Sequence, residues 1–266
     1  MFILDNELVI RPSFFCGIFA AMAGWELVLP RRKLITSKAR RWFTNWSITV
    51  LDSFALRLFF PLQAVGVAAI AEKKGLGVLN ILQFPQWQAV LISVVLLDLL
   101  IYFQHMYFHK IPIFWRLHML HHVDLDVDVT TGARFHPIEI FLSMLIKMAA
   151  VLLLGAPALG VVVFEIILNG TSMFNHSNVR TNGADRILRK IVVTPDMHRV
   201  HHSVLPRETF SNFGFNLPWW DRLFGTYREQ PEGGHKEMTL GLPQFRDAAQ
   251  LTLSMLLALP FIKRKW

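Results

Sequence analysis

Residues 84–122 read FPQWQAVLISVVLLDLLIYFQHMYFHKIPIFWRLHMLHH. From Phe84 to Gln104 the stretch is apolar except for Asp98 and a few neutral polar residues. A helix needs about 20 such residues to cross the hydrocarbon of a bilayer. At the end of this run stand His105 and His109, then His118, His121 and His122 at i, i+3 and i+4. Residues three and four apart share one face of a helix, so each group turns its imidazoles to one side. A membrane-crossing helix that opens into a row of histidines sets the reading of the whole chain.

Working outward, further apolar runs cover Val9 to Leu29 and Trp46 to Ala71. Asp52 and Arg57 make the first half of the second run costly in lipid. The run from Ile138 to Phe174 is too long for one crossing and suits two. Gly155 and Pro157 punctuate its middle, which predicts a helical hairpin. A last run, Ala248 to Ile262, ends in Lys263, Arg264 and Lys265 and predicts a helix lying in the membrane interface. The expected fold is all-α. It is an integral membrane helical bundle of about four or five transmembrane helices, including the 138–174 hairpin, with a cytoplasmic helical His-rich cap. We read 1–266 as a single membrane domain: a transmembrane region over 1–97, a catalytic region over 98–227 and the interfacial helix over 248–262.

Orientation follows from basic residues in short loops. Pro30 to Asn45 holds Arg31, Arg32, Lys33, Lys38, Arg40 and Arg41, whereas Glu72 to Gln86 holds only Lys73 and Lys74. The first loop is therefore expected on the cytoplasmic side, and the carboxyl end of the 84–104 helix arrives on that side too. A bacterial inner membrane is favoured over the endoplasmic reticulum. Composition agrees with a bilayer as solvent: 53% of the 266 residues are hydrophobic and 17% charged, against about 25% charged in soluble domains. In so apolar a chain the net charge of +8 indicates basic loops facing anionic lipid, not nucleic acid. The one cysteine, Cys16, excludes an internal disulfide and a cysteine-held cluster. Asp5 and Glu7 precede the first apolar run with no basic segment, which predicts a retained span and not a cleaved leader.

Ten of the eleven histidines fall between positions 105 and 202. His198, His201 and His202 repeat the i, i+3, i+4 spacing, and two singles join them, His136 in Arg-Phe-His-Pro-Ile-Glu and His176 in Asn-His-Ser-Asn. All lie at the ends of predicted spans or in polar segments on one side, so they can converge. Neutral imidazole suits Zn, Cu, Fe and Ni. Ten candidate ligands exceed what one ion uses, so two ions are expected, and a nitrogen-rich pair with room for dioxygen suits redox chemistry. Two other classes stay open. A zinc-dependent membrane hydrolase would use a metal-activated water. A divalent-metal transporter would place ligands near the bilayer midplane, where the predicted spans carry no histidine.

The stretch Asp98, Tyr102, His105, His109, Trp115, His118, His121, His122, Arg134, His136, Pro137, Glu139 resembles the fatty acid hydroxylase/sterol desaturase superfamily. So do Asn175-His176, Thr194-Pro195-Asp196-Met197-His198-Arg199-Val200-His201-His202, Asn212-Phe213-Gly214 and Trp220 to Tyr227. Met106 departs from it, because many members carry arginine after the first histidine. The resemblance implies a membrane di-metal oxygenase acting on acyl chains, sterols or related lipids. It makes His105, His109, His118, His121, His122, His136, His176, His198, His201 and His202 ligands of two Fe ions, with zinc able to replace iron in a purified sample and O2 as co-substrate.

An unactivated C–H bond needs an oxidant that side chains alone do not supply. Hydroxylation is favoured over desaturation because it needs one C–H event. The lipid substrate stays open. Ligating histidines usually donate their other N–H to a carboxylate or carbonyl, and the candidates are Asp98, Asp124, Glu139, Asp196 and Asp221. Asp98 is expected to brace a histidine from another helix. Arg134 is expected to pair with Glu139 or hold a lipid headgroup. Trp219, Trp220, Phe213, Phe215 and Phe224 form a lid, an interfacial belt or plain packing, and His235 reads as solvated. With no flavin, nicotinamide or haem motif, electrons must come from an external donor: ferredoxin, cytochrome b5 or a reductase. The basic loops favour an acidic one.

Overall fold

A computed structural model describes residue 4 and residues 6–262; Asp5, Lys263, Arg264 and Lys265 lie outside the described residues. The fold is helical, and the strand-like pairings among the described residues are the isolated bridges Pro30–Val179 and Ser203–Leu240. The helices that place the site are α1 (Glu7–Val28), α2 (Lys38–Phe59), α3 (Gln63–Lys74), α4 (Gln86–Lys110) and α5 (Pro112–His122). They are followed by α6 (Pro137–Leu154), α7 (Ala158–His176), α8 (Pro195–His201) and α9 (Trp219–Leu223). Among the described residues, five segments are long and apolar enough to cross a membrane: α1, the run Lys38–Ile81, α4, α6 and α7.

The second span departs from its expected bounds. It starts at Lys38, where the Ser37 hydroxyl accepts from the Arg40 N–H, and it breaks after Phe59. Pro61 has no N–H to donate and disfavours helical geometry at the residue before it. Phe60 accordingly adopts φ −127° and ψ 70°, and α3 resumes at Gln63. The 138–174 hairpin forms as expected, as α6 and α7. Gly155 turns it with φ +70°, and Pro157 precedes the first residue of α7. Gly77, with φ +90°, presses so closely on this turn that a Cβ there would lie 2.2 Å from the Gly155 nitrogen.

Helix α4 packs on α7 and α5, while α3 packs on α6 and α7 and α1 on α7. Leu97 and Ile101 of α4 meet Val161 and Phe164 of α7, Met144 and Val151 of α6, and Ala64 and Ala68 of α3 in one apolar core. A second core joins Ile48 of α2 to Met119 and Leu120 of α5 and to Leu256 and Leu259. The 248–262 segment is therefore not one interfacial helix. It breaks into short turns at Ala248–Gln250, Leu253–Ala258 and Leu259–Phe261, and it buries Leu256 and Leu259 completely against the protein.

The carboxyl ends of α1, α4 and α7 and the amino ends of α2 and α6 gather beneath a cap formed by the rest of the chain. The basic loop between α1 and α2 is tied into that cap. Arg31 Nε donates to Asp196 at 2.9 Å, and Arg41 binds both Asp124, at 2.8 Å, and Asp128, at 2.6 Å. Asp126 accepts from the Ile35 and Thr36 backbone nitrogens. The expected sharing of one side by the first loop and the histidines is thus built into direct contacts.

Candidate metal centre

Nine of the ten expected histidines meet at the mouth of the bundle, all of them buried. They form two groups. His105 and His109 of α4, His118 and His122 of α5 and His201 of α8 make the first. His121, His176 and His198, from α5, α7 and α8, join His202 in the second. Within each group one ligand nitrogen per ring lies within 4.8 Å of the others. The i, i+3, i+4 spacing explains how they interlock. His118 and His122 share one face of α5 and serve the first group, while His121 is turned toward the second. In α8, His201 serves the first group, and His198 and the following His202 serve the second. The groups adjoin, with the His122 and His202 rings stacked at 4.5 Å.

Hydrogen bonds fix which nitrogen faces inward in five of the nine rings. A carbonyl oxygen only accepts, so a ring nitrogen bonded to one carries the proton. His105 Nδ1 donates to Phe213 O at 2.8 Å, and His121 Nδ1 to Arg134 O at 3.1 Å. His176 Nδ1 donates to Ser172 O at 2.8 Å, and His201 Nδ1 to Ser211 O at 2.7 Å. His118 Nδ1 meets Glu139 Oε1 at 2.7 Å. A neutral imidazole has one proton, so Nε2 of these carbonyl-bound rings is a bare lone pair. His121 Nε2 and His176 Nε2 nevertheless lie 3.0 Å apart. Two lone pairs at that distance repel unless a cation stands between or beside them. Nε2 of His105, His118, His122 and His201 and both ring nitrogens of His109 and His202 are buried with no hydrogen-bond partner. Each of these rings has one bare nitrogen, and such orphaned acceptors cost free energy in a protein interior; a bound ion would satisfy them.

Charge state agrees. Burial pushes His118 down to about 3. Burial first, then neighbouring imidazoles, hold His121, His122, His198 and His202 well below the ordinary range; burial and His105 do the same for His201. The rings are neutral at physiological pH, as metal binding requires. The donor set, nine imidazole nitrogens in two groups, fits two nitrogen-loving ions.

Of the five expected carboxylates, Glu139 touches a ring. Asp221 acts one step removed: it accepts from the Phe213 and Gly214 N–H groups, each at 2.8 Å. It thereby holds the backbone whose carbonyl orients His105, and burial raises it to about 6. Asp98 braces no histidine. It accepts from the Asn216 and Leu217 backbone and from Trp220 Nε1. Burial favours the neutral form of Asp124, but Arg41 and Arg134 outweigh it and hold the group below its usual range. Asp196 pairs with Arg31 and Arg199.

Three expectations are corrected. His136 stands apart from both groups: its Nε2 bonds Leu257 O at 3.1 Å, and its Nδ1 accepts from the Ile138 N–H that opens α6. With both nitrogens engaged it is a helix cap, not a ligand. Arg134 pairs with Asp124 at 3.3 Å and not with Glu139; its main-chain carbonyl serves His121. His235 is buried beside Asp196 and not solvated. Sequence reading missed Phe135, which stacks on His121 at 4.5 Å, and the four carbonyls. One of those carried a signal, because Ser172 lies four residues before His176 on the same helix. Phe213 and Phe215 are buried against the His105 ring, whereas Trp219 and Phe224 are exposed.

The family model for "Fatty acid hydroxylase" matches residues 90–226. Among curated proteins, the chain is 32% identical over 151 residues to ornithine lipid hydroxylase OlsE of Rhizobium tropici, covering 56% of this chain and 44% of that protein. It is 29% identical over 132 residues to alkylglycerol monooxygenase of Xenopus tropicalis, covering 49% and 28%. The human alkylglycerol monooxygenase is 27% identical over 134 residues, covering 49% and 28%. The chain thus spans less than half the length of these relatives. No solved structure matches it. The matched region is just over half of the chain and holds all nine converging histidines, and on that match the chain belongs to the fatty acid hydroxylase family.

Proposed function

We propose that the protein hydroxylates a membrane lipid, using two iron ions, dioxygen and electrons from an external donor. The observation that carries this reading is the pair of interlocked groups of neutral, inward-facing imidazoles at the mouth of an apolar bundle. The balance is R–H + O2 + two electrons + two protons giving R–OH + H2O. The iron ions would supply dioxygen activation and the oxidising power to break an unactivated C–H bond. His105, His109, His118, His122 and His201 would hold one ion; His121, His176, His198 and His202 would hold the other. The chain's own residues fix five of the nine rings before any ion arrives, through four carbonyls and Glu139. Phe135, Phe213 and Phe215 pack around the rings and keep water from them. Leu97, Ile101 and Phe164 belong to the apolar core of the bundle at whose mouth the rings stand.

The relatives are named for ornithine lipid and alkylglycerol, which favours a polar membrane lipid as the substrate. The basic first loop supports a site on the cytoplasmic face of a bacterial inner membrane, within reach of a ferredoxin, cytochrome b5 or reductase. The test is metal content with oxygen uptake on purified protein, together with lipid mass spectrometry with and without the gene. Iron, reductant-dependent uptake and a lipid shifted by about +16 mass units, the one oxygen the balance adds, are expected. Loss of two hydrogens would make the enzyme a desaturase. Zinc with no oxygen uptake would replace the reading with a metal-dependent hydrolase.

A further inference from the structure

Helix α4 needs about 20 residues to cross the hydrocarbon, which takes it from Gln86 to His105. Asp98 lies seven residues before His105, hence about 10 Å deeper along the axis. The cap reaches down to that level. Asp98 accepts from the Asn216 and Leu217 N–H groups and from Trp220 Nε1, the last at 2.8 Å. On the way back Phe224 packs on Tyr102 and on Phe103 of α4, with ring centres 5.4 and 5.0 Å apart. Residues 216–224 therefore re-enter the bundle below the plane of the histidines.

At that depth the segment turns large apolar side chains outward. Trp219 is 50% exposed, Leu223 68% and Phe224 44%; the adjoining Ile187 and Ile191 are 67% and 61% exposed. The two stretches are joined, because Trp219 Nε1 donates to Lys190 O and Arg222 donates to Arg189 O, each at 2.8 Å. Arg186, Lys190 and Arg222 are exposed among these apolar side chains. The Arg222 guanidinium is held inside the segment: it lies over the Tyr227 ring, 4.2 Å from its centre, and also donates to Pro218 O at 2.9 Å. Asp185, the acid nearest in sequence, is buried against Arg189.

We propose that residues 186–191 and 216–224 form a re-entrant foot seated in the bilayer, with Ile187, Ile191, Trp219 and Leu223 among the acyl chains and Arg186 and Lys190 on anionic lipid phosphates. The segment is packed on α4 through Phe224, and apolar side chains rimmed by cations are the pattern of interfacial membrane contact. The occupant is lipid, and the foot rests on α4 being a span, independently of the reaction proposed above.

The test uses the full chain in nanodiscs of phosphatidylcholine with phosphatidylglycerol, with Cys16→Ser removing the one native cysteine. A nitroxide label is placed on Leu223→Cys and, as an aqueous reference, on Lys236→Cys, an exposed position. The label at 223 is expected to collide more with dissolved oxygen and less with a water-soluble nickel chelate than the label at 236. Equal chelate access at both positions overturns the proposal and leaves the face open to a protein partner. In a second arm, Arg186→Gln and Lys190→Gln are each expected to lower the preference for phosphatidylglycerol about fivefold, the equivalent of about 1 kcal/mol per charge. An unchanged preference in the double variant overturns the assignment of these cations to lipid phosphates.

Discussion

Acid should unfold the metal-free protein, and the histidines set how steeply. His118 is buried and pushed down to about 3, against about 6.5 in an unfolded chain. Between those values the unfolded chain binds a proton that the folded one refuses, so stability rises with pH across this window. The contribution is complete above about pH 6.5 and is lost as pH falls toward 3. A shift of about 3.5 units corresponds to about 5 kcal/mol for this one ring. His121, His122, His198, His201 and His202 are shifted in the same direction. Typical folding stability is about 5–15 kcal/mol in total, so the cap should fail well before pH 3 is reached. The assay is circular dichroism and tryptophan fluorescence of chelator-treated protein in detergent, followed from pH 8 downward. A metal-loaded sample should keep its fold to lower pH, because an ion that binds only the folded state stabilises it. A metal-free protein with one thermal midpoint from pH 7.5 to 4.5 would refute the linkage.

Glu139→Gln removes the carboxylate that orients His118; metal affinity should fall about 10–100-fold, read as residual metal after dialysis against a graded chelator. His136→Ala should keep full metal content and lose about 1 kcal/mol of stability through the lost cap; loss of metal from this variant would restore His136 to the ligand set. His121→Ala and His201→Ala should each abolish lipid oxidation while the protein still inserts in membranes, and full activity in both would remove them from the centre. Gly77→Ala places a Cβ 2.2 Å from the Gly155 nitrogen and should lower the thermal midpoint far more than Gly75→Ala. Gly75 also has positive φ but open space around it, so its cost is about 1 kcal/mol.

Much of this was legible because two periodicities write themselves into sequence. Apolar runs of membrane length marked α1, α4 and the α6–α7 hairpin, and i, i+3, i+4 spacing marked the faces of α5 and α8. What stayed hidden depends on contacts between segments far apart in the chain. His136 sits in the same kind of motif as the ligands, yet the Leu257 carbonyl, 121 residues away, claims its Nε2. Asp98, on the face of α4 that carries His105, looked like a brace for a histidine from another helix. Its partners come instead from the 216–220 turn, whose descent along α4 no local pattern announces. The final apolar run was read by hydropathy alone, which does not distinguish a face turned to lipid from one turned to α2 and α5.

The four ring orientations set by Phe213, Arg134, Ser172 and Ser211 come from main-chain oxygens. Every amino acid carries one, so a substitution at any of these positions leaves the acceptor in place as long as the chain keeps its path. The orientation of these four imidazoles is thus encoded in the course of the backbone, whereas that of His118 depends on the Glu139 side chain. If the protein acts on a lipid as proposed, residues away from these four carbonyls could change to suit a new acyl chain or headgroup without turning those rings.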